Sequence, residues 1–402
     1  MSNSPANPTR LKASARAELG AVISRRTLIF IGVFVVLALF FHLQSNGLFL
    51  TPRNLSLLLR QSAILAVVAA GVAVLITMSE IDLSIGSSVF LCGVVAAQLA
   101  AVAHVPLAFV LLGAVGTGVL IGAIQGFTVV FLGIPSFVAT LAGFLAWRGV
   151  GLLWTNAATV GPVPDDFSSL SESFIPPSAS WVVIGAVAIL AIVFILRRNR
   201  TPKARISTVV PEATLRPAVS ALRTIVEILL VLVPLGILAW IVGGFLGFPT
   251  ALIWVVVIVL SLTVVMARTT WGRGAYLLGA NREAAIYSGI SVKRTVFTGF
   301  LIMGALYGVA GVLLTARLGS STPGAGQYLE LDAIAAAVIG GVSLRGGAGS
   351  VAGAVMGALL LTTINNGMSI LNISSFLQLI IKAIILVLAL AVDAFVLRRA
   401  AR

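Results

Sequence analysis

Glu80-Ile81-Asp82-Leu83-Ser84 separates two long apolar runs, which extend over residues 63–78 and 89–103. A carboxylate at membrane depth costs about 2.5 kcal/mol or more, and this short stretch carries two of them. The sequence avoids that penalty almost everywhere else, because only 9% of its 402 residues are charged. We therefore expect a break between two membrane helices here, with a functional site at the break.

Similar apolar runs repeat from one end of the chain to the other. Hydrophobic residues make up 59% of the sequence, and the mean hydropathy is +1.13. Ordinary soluble domains are much more polar, with about 25% of their residues charged. Many of the runs approach the roughly 20 residues that a helix needs to cross a bilayer. The sequence therefore predicts an all-α fold, a polytopic transmembrane helical bundle in contact with membrane lipid.

The net charge of +14 is concentrated in four basic clusters that lie between or outside the apolar runs. These clusters are the N-terminal tail, residues 197–223, residues 268–294 and the tail 398–402. The 155–180 loop instead contains three acids and no basic residue. The positive-inside rule then predicts that the basic clusters face the cytoplasm and that the 155–180 loop is external. Charge placed in this way fits a membrane protein, and we expect no nucleic acid partner.

The best count of spans is twelve, with ten as the alternative, and both termini are predicted to be cytoplasmic. A tail 1–26 precedes the transmembrane domain 27–397, whose first run is expected to be an uncleaved span. The 331–344 run would form only about 21 Å of helix, so half of a broken helix or a re-entrant segment is equally possible. The twelve predicted spans are residues 27–42, 62–78, 84–103, 106–131, 136–154, 181–196, 224–245, 249–267, 295–317, 331–344, 349–367 and 375–397.

The sequence Glu330-Leu331-Asp332 repeats the acid–aliphatic–Asp pattern of Glu80-Ile81-Asp82. Each copy follows an apolar span and precedes a run of small apolar residues. Paired interruptions at corresponding points of two halves indicate a transport site. We therefore expect broken helices near both stretches, with their polar side chains lining or gating a path. The alternative for Asp82 or Ser84 is a cap, whose oxygen accepts an N–H of the following helix.

Further polar residues lie on the last two predicted spans. Lys382 lies near the middle of its span and should need a partner, which an acid of one of the breaks could supply. The alternative for these residues is structural, as an ion pair and as hydrogen bonds between helices. The full set of predicted path or gating residues is Glu80, Asp82, Ser84, Glu330, Asp332, Asn365, Asn366, Gln378 and Lys382.

The basic loop 268–294 is too polar to span a membrane and too regular for a linker. Its small residues, followed by Gly289, are compatible with a short helix that ends in a glycine turn. That helix either lies at the membrane interface or docks a cytoplasmic partner. Glu283-Ala284-Ala285, followed after three residues by Gly289, resembles the coupling-helix motif of ABC import permeases.

The two acidic stretches and Asn365-Asn366-Gly367 extend this resemblance. Together the motifs resemble the ribose/xylose-type sugar permeases of bacterial ABC importers over nearly the whole chain. Segments 135–143 and 147–149 support it, and the added span pair 181–196 and 224–245 favours the xylose-type members. The resemblance implies that the loop contacts an ATPase. The contact residues would be Arg268, Gly272, Arg273, Gly279, Asn281, Glu283, Ala284, Ala285 and Gly289.

The resemblance also implies a function and a set of partners. The chain would be the permease subunit of an importer that moves a monosaccharide, D-xylose or another pentose, across the bacterial inner (cell) membrane. Its partners would be an ABC ATPase, a periplasmic or extracellular sugar-binding protein and a second copy of the chain. The sequence has no Gly-x-x-x-x-Gly-Lys-Ser/Thr motif, so ATP would be bound by the partner. We expect no cofactor and no catalytic residue in the chain itself.

Two other classes of protein remain open from the residues. An ion-coupled secondary transporter would use the intramembrane acids as a proton or sodium site, without any need for the 283–289 motif. An integral-membrane enzyme would need a cluster of reactive side chains. The single Cys92 lies in an apolar run and the two histidines are isolated, so only carboxylates are available for such a cluster.

Overall fold

The computed structural model describes residues 25–200 and 216–400, a part of the chain that contains fifteen α-helices. The basic 197–223 loop and the 1–26 tail lie mostly outside these described residues. The first helices are α1 Arg25–Gln44, α2 Pro52–Thr77, α3 Ile85–Ala97, α4 Leu107–Val130, α5 Ser136–Thr155, α6 Asp165–Glu172, α7 Pro177–Arg200 and α8 Arg216–Gly244. The remaining helices are α9 Ala251–Arg268, α10 Thr270–Ala280, α11 Arg282–Tyr287, α12 Val292–Leu318, α13 Leu329–Ile339, α14 Val351–Ile370 and α15 Ser375–Ala400. Two short strands are β1 Phe174–Ile175 and β2 Phe248–Pro249.

Nine of the described helices are long and apolar enough to cross a membrane. Helices α1 and α15 contribute shorter apolar stretches, Phe30–Gln44 and Ser375–Leu388. Helix α13 has 11 residues, which is about 16 Å of helix and too short to cross alone. The prediction of an all-α polytopic membrane bundle is therefore confirmed, whereas the count of twelve spans is not.

Several predicted span boundaries differ from the structure. Helix α2 begins ten residues before the predicted 62–78 span, and Arg60 in this added part pairs with Glu172 at 2.5 Å. The 84–103 span is the α3 helix continued by a π-helical turn, Gln98–Val102. The predicted 331–344 span ends early because Gly341 has a φ of +91°, a left-handed conformation that ends a helix.

The chain divides into two compact units, residues 1–56 with 175–248 and residues 57–174 with 249–402. In the first unit α7 packs against α8, and the ring of Trp181 lies against Gly243. Most other described apolar side chains of these two helices face outward. A helix with such an outward face is suited to contact with lipid.

The second unit is built around α2, α3, α4 and α12. Helix α2 is the most buried of the candidate spans, with 83% of its apolar window inside the structure. The closest helix pair is α4 against α12, where Gly118 and Gly122 face Gly304 and Gly308. A Cβ at Gly122 would overlap the carbonyl oxygen of Phe300. Small residues of this kind let helix backbones approach closely within a membrane.

Both predicted helix breaks are present. Residues 78–84 separate α2 from α3, and Ser79 there has a φ of +64°. The second break is longer, because residues 319–328 are not helical and precede the short α13. After α13, Gly353 and Gly357 of α14 pack against its C-terminal end. Gly349 lies before α14 and has a φ of +135°.

Candidate functional site

Asp82 is the centre of a buried polar network at the first break. Its Oδ1 accepts hydrogen bonds from the N–H and the hydroxyl of Ser84, each at 2.8 Å, and its Oδ2 accepts one from the Tyr307 hydroxyl. Gln125 of α4 donates from Nε2 to the Ser84 hydroxyl oxygen at 2.6 Å. Asp82 is only 3% exposed. The network therefore joins the break to α4 and to the middle of α12.

The alternative that a side-chain oxygen of Asp82 or Ser84 caps the first turn of α3 is wrong. Ser84 occupies the N-cap position, but its side chain accepts no hydrogen bond from the first turn. Asp82 bonds to the residue two positions onward, which is the geometry of an Asx turn. The reason is competition for the Ser84 hydroxyl, which donates to Asp82, accepts from Gln125 of α4 and lies 3.2 Å from the hydroxyl of Ser88 on α3 itself.

Glu80 points away from this network, toward the predicted coupling loop. Its Oε1 lies 3.7 Å from Nη1 of Arg282, the first residue of α11. The backbone N–H of Ile81 donates to the Ser136 hydroxyl at 3.1 Å, which fixes the direction of the chain at this point. Glu80 is only 5% exposed, so this ion pair supplies a counter-charge to a buried carboxylate.

Three further contacts hold three segments together beside this ion pair. The Ser79 hydroxyl lies 3.2 Å from the Gly279 carbonyl and 3.0 Å from the Arg345 carbonyl. Gly347 donates its N–H to the Thr77 carbonyl at 2.9 Å. We call this region, residues 77–80, 279–282 and 345–349, the coupling layer.

Helix α10 is anchored to the same layer by a tyrosine. The Tyr276 hydroxyl donates to the Gly349 carbonyl at 2.9 Å. Burial raises the pKa of this hydroxyl, so the group keeps its proton at neutral pH and remains a donor. Only Asn281 separates α10 from α11, and both helices are therefore bonded to the coupling layer, α10 through Tyr276 and α11 through Arg282.

The nine predicted ATPase-contact residues are two buried residues, two half-buried ones (Gly279 and Ala284) and five exposed ones. Gly272 and Ala285 are buried, and a Cβ at Gly279 would overlap the Thr77 carbonyl. Asn281 accepts the Ala284 N–H at 3.0 Å and so caps α11. The exposed residues of the set are Arg268, Arg273, Asn281, Glu283 and Gly289.

Two exposed side chains beside Glu283 were missed. Ile286 is 55% exposed and Tyr287 is 90% exposed, at three and four positions from Glu283. Residues at this spacing share one face of a helix. This spacing is visible in the sequence, and it is compatible both with an interfacial helix and with a docking helix.

At the second break the structure pairs Lys382 with Asp332, at 2.8 Å between Nζ and Oδ2. Glu330 is 6% exposed and its Oε2 has no hydrogen-bond partner among the described residues. Gln378 donates from Nε2 to the Ile373 carbonyl at 2.8 Å, which holds the start of its own helix. Asn365 lines a cavity beside Asp332, whereas Asn366 is buried.

Arg148 of α5 holds the non-helical part of the second break. Its Nη1 donates to the carbonyls of Pro323 and Ala325 at 3.0 and 2.9 Å. Its guanidinium also lies over the ring of Phe90, 4.6 Å from the centroid. The arginine supplies donors to carbonyls that a continuous helix would have satisfied internally. Nothing in the sequence around Arg148 predicted that it would bond to the carbonyls of the second break.

The polar groups described at the two breaks bond to each other or to backbone, apart from Glu330, whose Oε2 has no hydrogen-bond partner among the described residues. Among the described residues, no group of three or more His, Cys, Asp or Glu side chains could hold a metal ion.

Comparison with known proteins gives a consistent result. A family model described as "Branched-chain amino acid transport system / permease component" matches residues 54–390. The chain is 38% identical to the xylose transport system permease protein XylH of Escherichia coli (strain K12), over 98% of this chain and 100% of that protein. It is 37% identical to the XylH of Haemophilus influenzae, over 90% of this chain and 94% of that protein.

A second group of relatives carries another sugar in its name. The chain is 33% identical to the ribose import permease protein RbsC of Escherichia coli (strain K12), over 90% of this chain and 92% of that protein. No solved structure gives a significant match.

Proposed function

The chain belongs to the family of branched-chain amino acid transport system permease components, and we propose that it is the permease subunit through which an ABC importer moves a monosaccharide. The observation that carries the proposal is the 38% identity to a xylose permease over essentially the full length of both chains. This likeness favours D-xylose as the substrate, with ribose or another pentose as the alternative. As a permease component, the subunit itself is non-catalytic.

The coupling layer supports the proposed connection to an ATPase. Helix α11 presents Glu283, Ile286 and Tyr287 on its exposed face, and its first residue Arg282 pairs with Glu80 at the first break. A partner that moved α11 on binding or hydrolysing ATP would therefore move the break directly. We propose that this motion switches a pair of permease subunits between inward-facing and outward-facing states.

The membrane orientation follows from the same assignment. Nine candidate spans, α1, α15 and a broken crossing over residues 319–339 together make twelve crossings. Twelve crossings place both termini on one side, which the basic clusters predict to be the cytoplasm of a bacterial cell. The 155–180 loop would then meet the sugar-binding protein on the external side.

The test is uptake of labelled D-xylose into cells or proteoliposomes that contain the permease, its ATPase and its binding protein. We expect uptake that stops when ATP is depleted and continues when an uncoupler removes the proton gradient. An ion-coupled transporter would give the opposite pattern. Ribose uptake under the same conditions separates the two pentoses, and a complex that transports neither sugar would refute the proposed function.

A further inference from the structure

A partly open cavity of about 270 Å³ lies in the second unit, between helices α2, α12, α13 and α14. Ligand pockets usually begin at about 300 Å³, so this cavity suits a small solute. Six of its ten lining residues are polar, namely Gln61, Arg317, Asp332, Thr362, Asn365 and Ser369. Polar and ionisable side chains are rare within membrane-spanning segments.

Two amides of this cavity have no partner within the described part of the chain. The Oδ1 atom of Asn365 is buried and accepts no hydrogen bond. The side chain of Gln61, which also lines the cavity, is half-buried and makes no hydrogen bond among the described residues. A buried polar atom left unpaired, such as Oδ1 of Asn365, is costly, and a hydroxyl group in the cavity would satisfy it. The walls therefore offer both donors and acceptors to a guest.

The third polar group of the cavity, the carboxylate of Asp332, is held in place by an ion pair. Lys382 donates to its Oδ2 at 2.8 Å, which neutralises the charge and fixes the carboxylate. An ionised carboxylate can accept about four hydrogen bonds, so Oδ1 remains able to receive a hydroxyl proton. Planar amides and a fixed carboxylate on three helices form a set of partners suited to several hydroxyl groups of one small molecule.

The position of the cavity fits the external half of a path. Gln61 lies 16 residues before Thr77, the end of α2 in the coupling layer, and this separation corresponds to about 24 Å along the helix. Arg317 is in the last turn of α12, next to Gly319, whose carbonyl accepts the N–H of Val163 in the predicted external loop. The cavity is therefore at the end of the unit that the coupling layer does not occupy.

We propose that this cavity is a hydroxyl-binding chamber on the substrate path, where the sugar bonds to Gln61, Asp332 and Asn365 after its release outside. The assignment rests on the proposed function, since it names where the transported sugar is held. The chamber would recognise a small polyhydroxylated solute by its hydroxyl groups.

The first test uses substituted cysteines in the complete complex with ATPase and binding protein. The single Cys92 is fully buried, so it provides a silent background. We expect Gln61→Cys and Asn365→Cys to react with a small hydrophilic thiol reagent, and D-xylose with its binding protein to slow the reaction at least fivefold. Thr363→Cys is the control, because Thr363 is buried and its hydroxyl bonds within α14 to Leu359 at 2.8 Å.

Either of two results would overturn the chamber. One is that both cysteines stay unreactive with and without ATP. The other is that xylose leaves their reaction rates unchanged in a complex whose wild-type form transports it.

A transport measurement separates this inference from the proposed function. Gln61→Leu and Asn365→Leu keep the approximate size of each side chain and remove its hydrogen bonds. We expect xylose uptake to fall about tenfold for each while the complex assembles in normal amount, and Thr363→Val to transport normally. A wild-type complex that carries no sugar would contradict the proposed function. Wild-type rates in both leucine variants would contradict the chamber alone.

Discussion

At the scale of single residues, Asp82 shows how a carboxylate is kept inside a membrane bundle. It accepts hydrogen bonds from Ser84 twice and from Tyr307, and the whole group is closed off from solvent. Hydrogen bonds to a charged group are worth about 1.5–3 kcal/mol each, more than those between neutral groups. The network therefore stabilises the first break and leaves Asp82 little freedom to bind a passing solute.

Removal of the Tyr307 hydroxyl tests that interpretation. Tyr307→Phe keeps the buried ring and leaves one carboxylate oxygen without its donor, so we expect the protein to lose about 1–3 kcal/mol of stability. Thermal unfolding of the detergent-solubilised permease is the measurement. Tyr287→Phe is the matched control, since Tyr287 is 90% exposed and should leave the unfolding temperature unchanged. Equal unfolding temperatures for both variants would show that the network does not stabilise the break.

At the scale of elements, the contact between α4 and α12 depends on individual glycines. Gly122 lies against the backbone of Phe300 and Gly304, whereas Gly116 on the same helix has open space where its Cβ would be. Two glycines only six residues apart on α4 thus have opposite environments. The same substitution should therefore have opposite effects at the two positions.

We expect Gly116→Ala to stabilise α4 by about 0.5–1 kcal/mol, because alanine loses less backbone entropy in a helix. Gly122→Ala should destabilise the bundle by about 1–3 kcal/mol, because the added methyl forces α4 away from α12. Denaturation of both variants in the same detergent provides the comparison. A stabilising Gly122→Ala would mean that the two helices are not in contact at this point.

The coupling layer leads to a prediction about energy transfer between elements. The pair between Arg282 and Glu80 is 3.7 Å long, and 61% of the Arg282 side chain is exposed, so it contributes little to stability. The ion pair matters because of its position, since it connects a side chain of α11 to a side chain of the first break. Arg282→Gln should therefore leave assembly intact and lower the amount of sugar moved per ATP hydrolysed by several-fold.

Measurement of uptake and ATP hydrolysis on the same proteoliposomes gives that ratio. Arg282→Lys keeps the charge and should restore most of the coupling, which a role in packing alone would not predict. An unchanged ratio in Arg282→Gln would show that this ion pair does not couple α11 to the first break. The hydrogen bonds of Ser79 and Gly347 would then be the remaining connection.

At the scale of the whole molecule, we propose that the ATPase docks on the exposed face of α11 and so meets that end of the bundle. Glu283 is exposed there beside Ile286 and Tyr287, so a partner could bury an acid and an aromatic side chain together. Aromatic residues often dominate the binding energy of such interfaces. The buried Ala285 supports this face from behind and cannot itself touch a partner.

We expect Glu283→Lys and Tyr287→Ala each to reduce co-purification of the ATPase at least tenfold with normal insertion of the permease. Asp165→Lys is the matched control, because it makes the same charge change at an exposed position of the predicted external loop. Loss of the ATPase in this control, or normal recovery with both α11 variants, would contradict the assignment of α11 as the docking helix.

Much of this architecture follows from the sequence alone. Long apolar runs cannot be soluble, and backbone groups within a bilayer must bond internally, so the run pattern predicts a helical bundle. Each acidic pair predicts a break, because a buried charge is tolerated only where partners are available. The first break contains Glu80-Ile81-Asp82, whereas the second, residues 319–328, comes just before Glu330-Leu331-Asp332, which lie in the first turn of α13.

The tertiary structure decided which groups meet, because their partners are distant in sequence. Asp82 bonds to Tyr307, 225 positions away, and Arg148 bonds to Pro323 across 175 positions. Composition and periodicity describe one helix at a time, so they could not show that Glu80 pairs with Arg282 or that Gln61 and Asn365 line one cavity. Those pairings depend on how close the glycine-lined backbones come when the helices pack.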